Sequence, residues 1–185
     1  MKYWVNSMIK IYLGTISKLI ENTNYDDILN KYDEVSIKRL SEKKAGEILL
    51  LKALSQENIV INEPLKYIYK GSKPYLESYP YYYNISHTED FIVLAISTNE
   101  VGIDVENKNR LLKNNKLVNS IKEWTIKEAF VKYLALSVKD IKRVKILDDY
   151  VCLDDGKGHY QSIEYDDYII SIVNNEEAVI KIIKL

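Results

Sequence analysis

The chain has 185 residues, enough for one large domain or two lobes of about 90 residues each. Hydrophobic residues make up 46% and charged residues 29%, a globular balance rather than a disordered one. With 26 Lys and Arg against 27 Asp and Glu, the chain lacks the positive field that a nucleic-acid backbone requires, so no nucleic-acid partner is expected.

Residues 3–16 alternate loosely between apolar and polar and predict a first strand. Asn6, Ser7 and Lys10 interrupt this apolar start before a signal-peptide core develops, and nowhere do about 18 apolar residues run together. Neither export nor a membrane span is expected. Between Ser41 and Leu54, the spacing of Ala45, Ile48, Leu49, Leu51 and Leu54 predicts a helix. Ser41 is its expected cap, and Lys43, Lys44 and Lys52 lie on its wetter side. Asn62-Glu63-Pro64 and Gly71-Ser72-Lys73-Pro74 read as loops, and Asn84 to Thr88 reads as a loop opening into a buried strand at 92–96. A turn at Asn99-Glu100 leads to a strand over 101–106, and a second helix is expected over 121–136. Short strands follow at 142–147, 149–153, 159–164, 168–173 and 177–183. The single cysteine, Cys152, excludes an internal disulfide and a cysteine metal cluster and fits a reducing cytoplasm. Asp90-Phe91-Ile92-Val93 is echoed by Asp167-Tyr168-Ile169-Ile170, an offset of 167 − 90 = 77 residues, a lead toward internal duplication.

Four segments bear on chemistry. Asp104 and Glu106 are two apart on a strand, so their carboxylates project from one face and repel unless something positive lies between them. A hard divalent cation such as magnesium would satisfy them, and so would solvent at a sheet edge. Glu128 and Lys132 are helical i,i+4 neighbours, either an ordinary surface ion pair or a metal-binding carboxylate beside a phosphate-reaching lysine. Ser86, His87 and Thr88 offer hydrogen bonds to an anion, and a protonated histidine would add charge. Gly71-Ser72-Lys73-Pro74 joins a flexible glycine to a lysine beside a fixed-φ proline, suited to a phosphate grip or to a plain turn.

Taken in order, Gly71…Lys73-Pro74, Tyr83 to Thr88, Gly102 to Glu106 and Trp124 to Ala129 resemble the motif series of the 4'-phosphopantetheinyl transferase superfamily, in its long, surfactin-synthetase-activating branch. The motifs span residues 71–132, about a third of the chain. The resemblance implies an α+β fold of two similar lobes, residues 1–98 and 99–185, related by a pseudo-twofold axis, with coenzyme A in the cleft between them. It implies magnesium held by Asp104, Glu106 and Glu128, and the coenzyme A pyrophosphate contacted by Ser86 and His87. Lys73, with Lys43 or Lys44, would face the nucleotide, and Lys127 and Lys132 complete the cofactor-facing cations.

In the implied reaction the phosphopantetheine arm passes to a serine of an apo carrier protein, with Glu128, Lys132 and His87 as the catalytic groups. The partner would be an acidic helical carrier domain and the enzyme a cytoplasmic monomer. There are departures. Only 17 residues, 107–123, separate Glu106 from Trp124, and Ala135-Leu136-Ser137-Val138 stands where a Gly-x-Gly turn is common. Two other readings compete: a coenzyme A or carrier-binding protein without transfer, and a magnesium nuclease using Asp90 with Glu106-Asn107-Lys108.

Overall fold

The computed structural model describes residues 7–21, 37–61, 64–111 and 118–185. The expected strand start at 3–6, the loop signal at Asn62-Glu63 and positions 112–117 of the shortened segment lie outside them. The described elements are β1 (Ser7–Thr15), α1 (Ile16–Glu21), α2 (Ile37–Gln56), β2 (Tyr67–Lys70), β3 (Lys73–Leu76), β4 (Tyr82–Thr88), β5 (Phe91–Ser97), β6 (Val101–Asn107) and α3 (Ile121–Tyr133). A 3₁₀ turn (Val138–Arg143) then leads to β7 (Lys145–Ile146), β8 (Tyr150–Leu153), β9 (Gly156–Tyr165), β10 (Tyr168–Asn174) and β11 (Ala178–Lys184). The protein is mixed α+β, with more strand than helix.

Two main sheets form, with strand orders β11-β1-β5-β4 and β6-β10-β9-β8-β7, beside a β2-β3 hairpin. The apolar run at 92–96 is continuous because both faces of β5 are covered. Ile92, Leu94 and Ile96 join Tyr12 and the α2 residues Ile48, Leu49 and Leu50 in one core. Val93 and Ala95 pack with Ile9, Ile11 and Leu13 against Val101, Ile103, Val105, Ile170 and Ile172 of the second sheet. A third core sets Ile126, Phe130 and Val131 of α3 against Val151, Leu153 and Val173. The layers therefore run α2, first sheet, second sheet, α3. Among the described residues no helix is long and apolar enough to cross a membrane.

Several elements differ from the sequence expectation. Helix α2 begins upstream of Ser41, which lies inside it, because half-buried Leu40 extends the apolar face by a turn. The expected strand ends one residue early, because Ile16 already begins α1 (Ile16–Glu21), whose start is fixed by Asp90 accepting from the Ser17 amide at 2.9 Å and hydroxyl at 2.7 Å. Asn84 to Thr88 is not a loop but most of β4, paired antiparallel with β5. Of the strand expected at 142–147 only two residues pair, since Ser137 and Asp140 form a capping box that turns 138–143 into 3₁₀ helix. The Gly71 loop is the turn of the β2-β3 hairpin, with φ at +59°.

Helix α3 has clear ends. The Ser120 side chain accepts from the Glu123 amide at 3.1 Å, and Glu123 in turn accepts from the Asn119 amide at 2.7 Å. At the other end the Leu136 amide donates to Val131 at 2.9 Å and the Ala135 amide to Lys132 at 3.2 Å, a Schellman closure. Ala135 carries the left-handed conformation there, with φ at 56°, where glycine would sit without a Cβ penalty. Under the last turn of α3 lies Gly102. A Cβ there would stand 2.1 Å from the Ala129 carbonyl oxygen and 2.6 Å from the Tyr133 amide nitrogen.

Two stability measurements follow from this geometry. Gly102→Ala forces backbone apart from backbone and should lower the free energy of unfolding by about 3 kcal/mol. Ala135→Gly relieves the left-handed alanine and should raise it by about 1 kcal/mol, read in both cases from urea midpoints at constant m.

Candidate active site

Strand β4 is the edge of the first sheet, and its two faces do different work. Asn84, Ser86 and Thr88 face β6, while Tyr83, Ile85 and His87 face α2, as period-2 alternation requires. The polar face ties the two sheets together through side chains. Asn84 Oδ1 accepts from the Ile103 amide at 2.9 Å, the Ser86 hydroxyl donates to Asp104 Oδ1 at 2.7 Å, and the Thr88 hydroxyl donates to Glu106 Oε2 at 3.0 Å.

The carboxylates of Asp104 and Glu106 are thus on one face, as the strand spacing predicts. They are not at a wet edge, however. Asp104 is 2% exposed and Glu106 6%, because α3 lies over that face. Glu128 of α3 completes a cluster in which one oxygen of each carboxylate lies within 4.8 Å of the others. Two cations offset the repulsion. Lys132 Nζ donates to Asp104 Oδ1 at 2.7 Å and to the Ser86 hydroxyl at 3.0 Å, and stands 3.6 Å from Glu128 Oε1. Arg110, one turn beyond the strand, pairs with Glu106 Oε1.

Burial, and then the charge of Asp104, push the Glu128 carboxyl above its ordinary value, against the pull of Lys132. Burial alone would lower the Lys132 ammonium, but Asp104 and Glu128 overcome it and hold it raised. Asp104 Oδ2 is buried with no protein partner. A buried carboxylate oxygen without a donor, on a residue clustered with two other carboxylates, fits a hard divalent cation with oxygen ligands. The three residues therefore suit the metal that the resemblance implies.

His87 opens the second part of the site. With Arg39, Glu42, Lys43, Tyr67 and Tyr69 it lines a cleft of about 570 Å³ between α2, the β2-β3 hairpin and β4. Its Nε2 stands 3.7 Å from Glu42 Oε2. Burial pulls the imidazole below its ordinary value, further than Glu42 lifts it, and Lys132 and Lys38 act in the same downward direction. These surroundings disfavour the charged form of His87, whose ring nitrogens remain available as hydrogen-bonding groups beside the cleft.

The remaining predicted residues divide. Lys43 is exposed on the rim of the cleft; Lys44 is half-buried and does not line it. Lys73 is 4% exposed, and its ammonium reaches Glu100 and, at 2.7 Å, the Val101 carbonyl. Lys127 is buried on the flank of α3 and pairs with Glu123 at 2.8 Å. The nuclease arrangement is not assembled: Asp90 holds Ser17, and Lys108 pairs with Glu164 at 2.7 Å. Sequence reasoning missed Arg39, Glu42 and Arg110. Gly46, a helix-interior glycine on the cleft wall, was a readable pointer to that face of α2.

No family model matches the chain. The chain is similar to the 4'-phosphopantetheinyl transferase gsp of Aneurinibacillus migulanus, 27% identical over 119 residues that cover 53% of this chain and 50% of that protein. The chain thus spans about half the length of this relative. The similarity agrees with the superfamily resemblance carried by the four motifs.

The raised Glu128 predicts a pH signature. A carboxyl whose folded value lies above its unfolded one contributes stability that is complete below the unfolded value and lost as pH rises through the folded one. Glu128→Gln should therefore unfold at higher urea than wild type at pH 8, with the two converging near pH 4.

Proposed function

We propose that this chain transfers the phosphopantetheine arm of coenzyme A to a serine of an apo carrier protein, releasing 3',5'-ADP. The observation that carries the reading is the convergence of Asp104, Glu106 and Glu128, with Lys132, at the edge strand that also walls the cleft. The similarity to a 4'-phosphopantetheinyl transferase gives it a second support.

Asp104, Glu106 and Glu128 would hold magnesium. Bound there, the metal would neutralise pyrophosphate charge and polarise the phosphoryl group for in-line attack. The nucleotide end would lie in the cleft against Lys43 and His87, with the pyrophosphate crossing the β4 edge past Ser86. A carrier serine is too weak an acid to ionise unaided. Glu128, directly or through a metal-bound water, would accept that proton. Lys132, charged and already bonded to Ser86, would stabilise the departing 3',5'-ADP. Lys44, Lys73 and Lys127 enter as supporting cations; Lys73 braces β3 against β6 and Lys127 the first turns of α3. The neutral charge balance leaves the carrier to be recognised by a local patch.

Within this reading the chain is a monomer of two lobes, 1–98 and 99–185, related by a pseudo-twofold axis. Two observations support the pseudo-twofold relation. The orders β1-β5-β4 and β6-β10-β9 match, with antiparallel pairing throughout. The repeated Asp-aromatic pairs start β5 and β10, and their aromatics, Phe91 and Tyr168, stack on each other at 4.3 Å. The last strand departs from the division at 98/99, since β11 pairs in parallel with β1 in the first sheet.

The test is direct. Incubated with an apo carrier domain, coenzyme A and magnesium, the protein should add the mass of one phosphopantetheine to the carrier in intact mass spectrometry. Asp104→Ala should slow that addition by at least about 100-fold while the cleft still binds coenzyme A. Coenzyme A binding with no transfer to any carrier would favour a binding protein instead, and neither binding nor transfer would sink the proposal.

A further inference from the structure

We infer that Arg110 is a positioning residue that competes with a divalent cation for Glu106, and so sets the affinity of the carboxylate cluster. The inference rests on the reading that Asp104, Glu106 and Glu128 hold such a cation.

The three carboxylates are not equally free to coordinate. Asp104 spends Oδ1 on Ser86 and Lys132 but keeps Oδ2 buried and without a partner. Glu106 has both oxygens engaged, Oε2 by the Thr88 hydroxyl and Oε1 by Arg110. Each oxygen keeps a second lone pair, so a cation reaching all three residues can tolerate the neutral Thr88 hydroxyl, but it repels the guanidinium that shares Glu106 Oε1. The Thr88 hydroxyl is short and fixed on β4. The Arg110 side chain is 50% exposed against 8% for Glu106, follows the end of β6, and has water to move into. It is therefore the donor that yields. A guanidinium stays protonated at any working pH, so the competition is a matter of geometry and charge, not of titration. Once displaced, Arg110 remains at the mouth of the cluster with its planar fork unpaired, suited to a phosphate oxygen arriving with the ligand.

The pair is partly exposed, so its removal should have a modest and measurable effect. Manganese titrated calorimetrically into the full chain at fixed salt should bind Arg110→Gln about two- to fivefold more tightly than wild type. Arg110→Lys, which keeps the charge and loses the fork, should fall between. Lys108→Gln removes the same charge two residues away, from a lysine paired with Glu164, and should leave the affinity unchanged. Glu106→Gln should weaken binding, and in that background Arg110→Gln should add nothing, which identifies Glu106 as the shared partner. Equal or weaker binding by Arg110→Gln would overturn the inference, as would an equal gain from Lys108→Gln, which would mean a diffuse field effect. If wild type takes up no manganese and Glu106→Gln makes no difference, the metal reading fails together with it.

Discussion

The site depends on how closely a helix backbone is allowed to approach a strand backbone. At Gly102 there is no room for a single carbon between β6 and the Ala129–Tyr133 turn of α3. That contact sets the distance at which Glu128 meets Asp104 and Glu106, and the distance at which Lys132 reaches both Asp104 and Ser86. A larger residue at 102 would hold α3 away and open the cluster to water, where each carboxylate would be solvated separately. The motif from Gly102 to Glu106 therefore begins with its glycine for a packing reason, and the same glycine lets α3 bury its apolar face against β8 and β10.

Closeness creates the second constraint. Buried carboxylates within 4.8 Å of each other are unfavourable unless cations and donors surround them. Strand β4 supplies hydroxyl donors to Asp104 and Glu106 from Ser86 and Thr88, and accepts from the Ile103 amide through Asn84, in the same order along the chain as their partners on β6. Its other face shapes the cleft with α2. One short edge strand thus joins the first sheet to the second, satisfies the acidic cluster and carries the histidine of the cleft. Because β4 is an edge, a ligand can pass from one face to the other without breaking a ladder.

The parts of this arrangement legible in the sequence were those fixed by local periodicity. Asp104 and Glu106 share a face because strands repeat every two residues, and Glu128 stands beside Lys132 because helices bring i and i+4 together. Periodicity does not say what covers a face, so a solvated edge stayed open for Asp104 and Glu106 although both are buried. Asn84 to Thr88 read as a loop because Asn, Ser, His and Thr are poor core residues. Their polar side chains are in fact the bonds between sheets, a long-range role with no local signature. Lys73 suited a phosphate equally well by residue type, yet it is drawn to Glu100 and the Val101 carbonyl by the hairpin's packing on β6. Arg110 was invisible because a residue four positions on from Glu106 shares its face but would lie about 13 Å further along a strand. Only the turn after Asn107, where the Arg110 amide bonds back to the Asn107 carbonyl, brings it round.

The charge of the cluster argues for what it accommodates. Three carboxylates converge on Lys132 and Arg110, so acidic groups outnumber the cations beside them. On the proposed reading a divalent cation adds more positive charge than that imbalance leaves room for. A polyphosphate restores the balance, and Arg110, released from Glu106, has somewhere to bind. Neither cation nor anion alone leaves the cluster matched, whereas the two together do. Such a site favours joint occupancy, and linkage requires each ligand to strengthen the other by the same factor. The geometry that looks like a costly crowding of like charges is in this sense a selector for a metal–phosphate pair over either component.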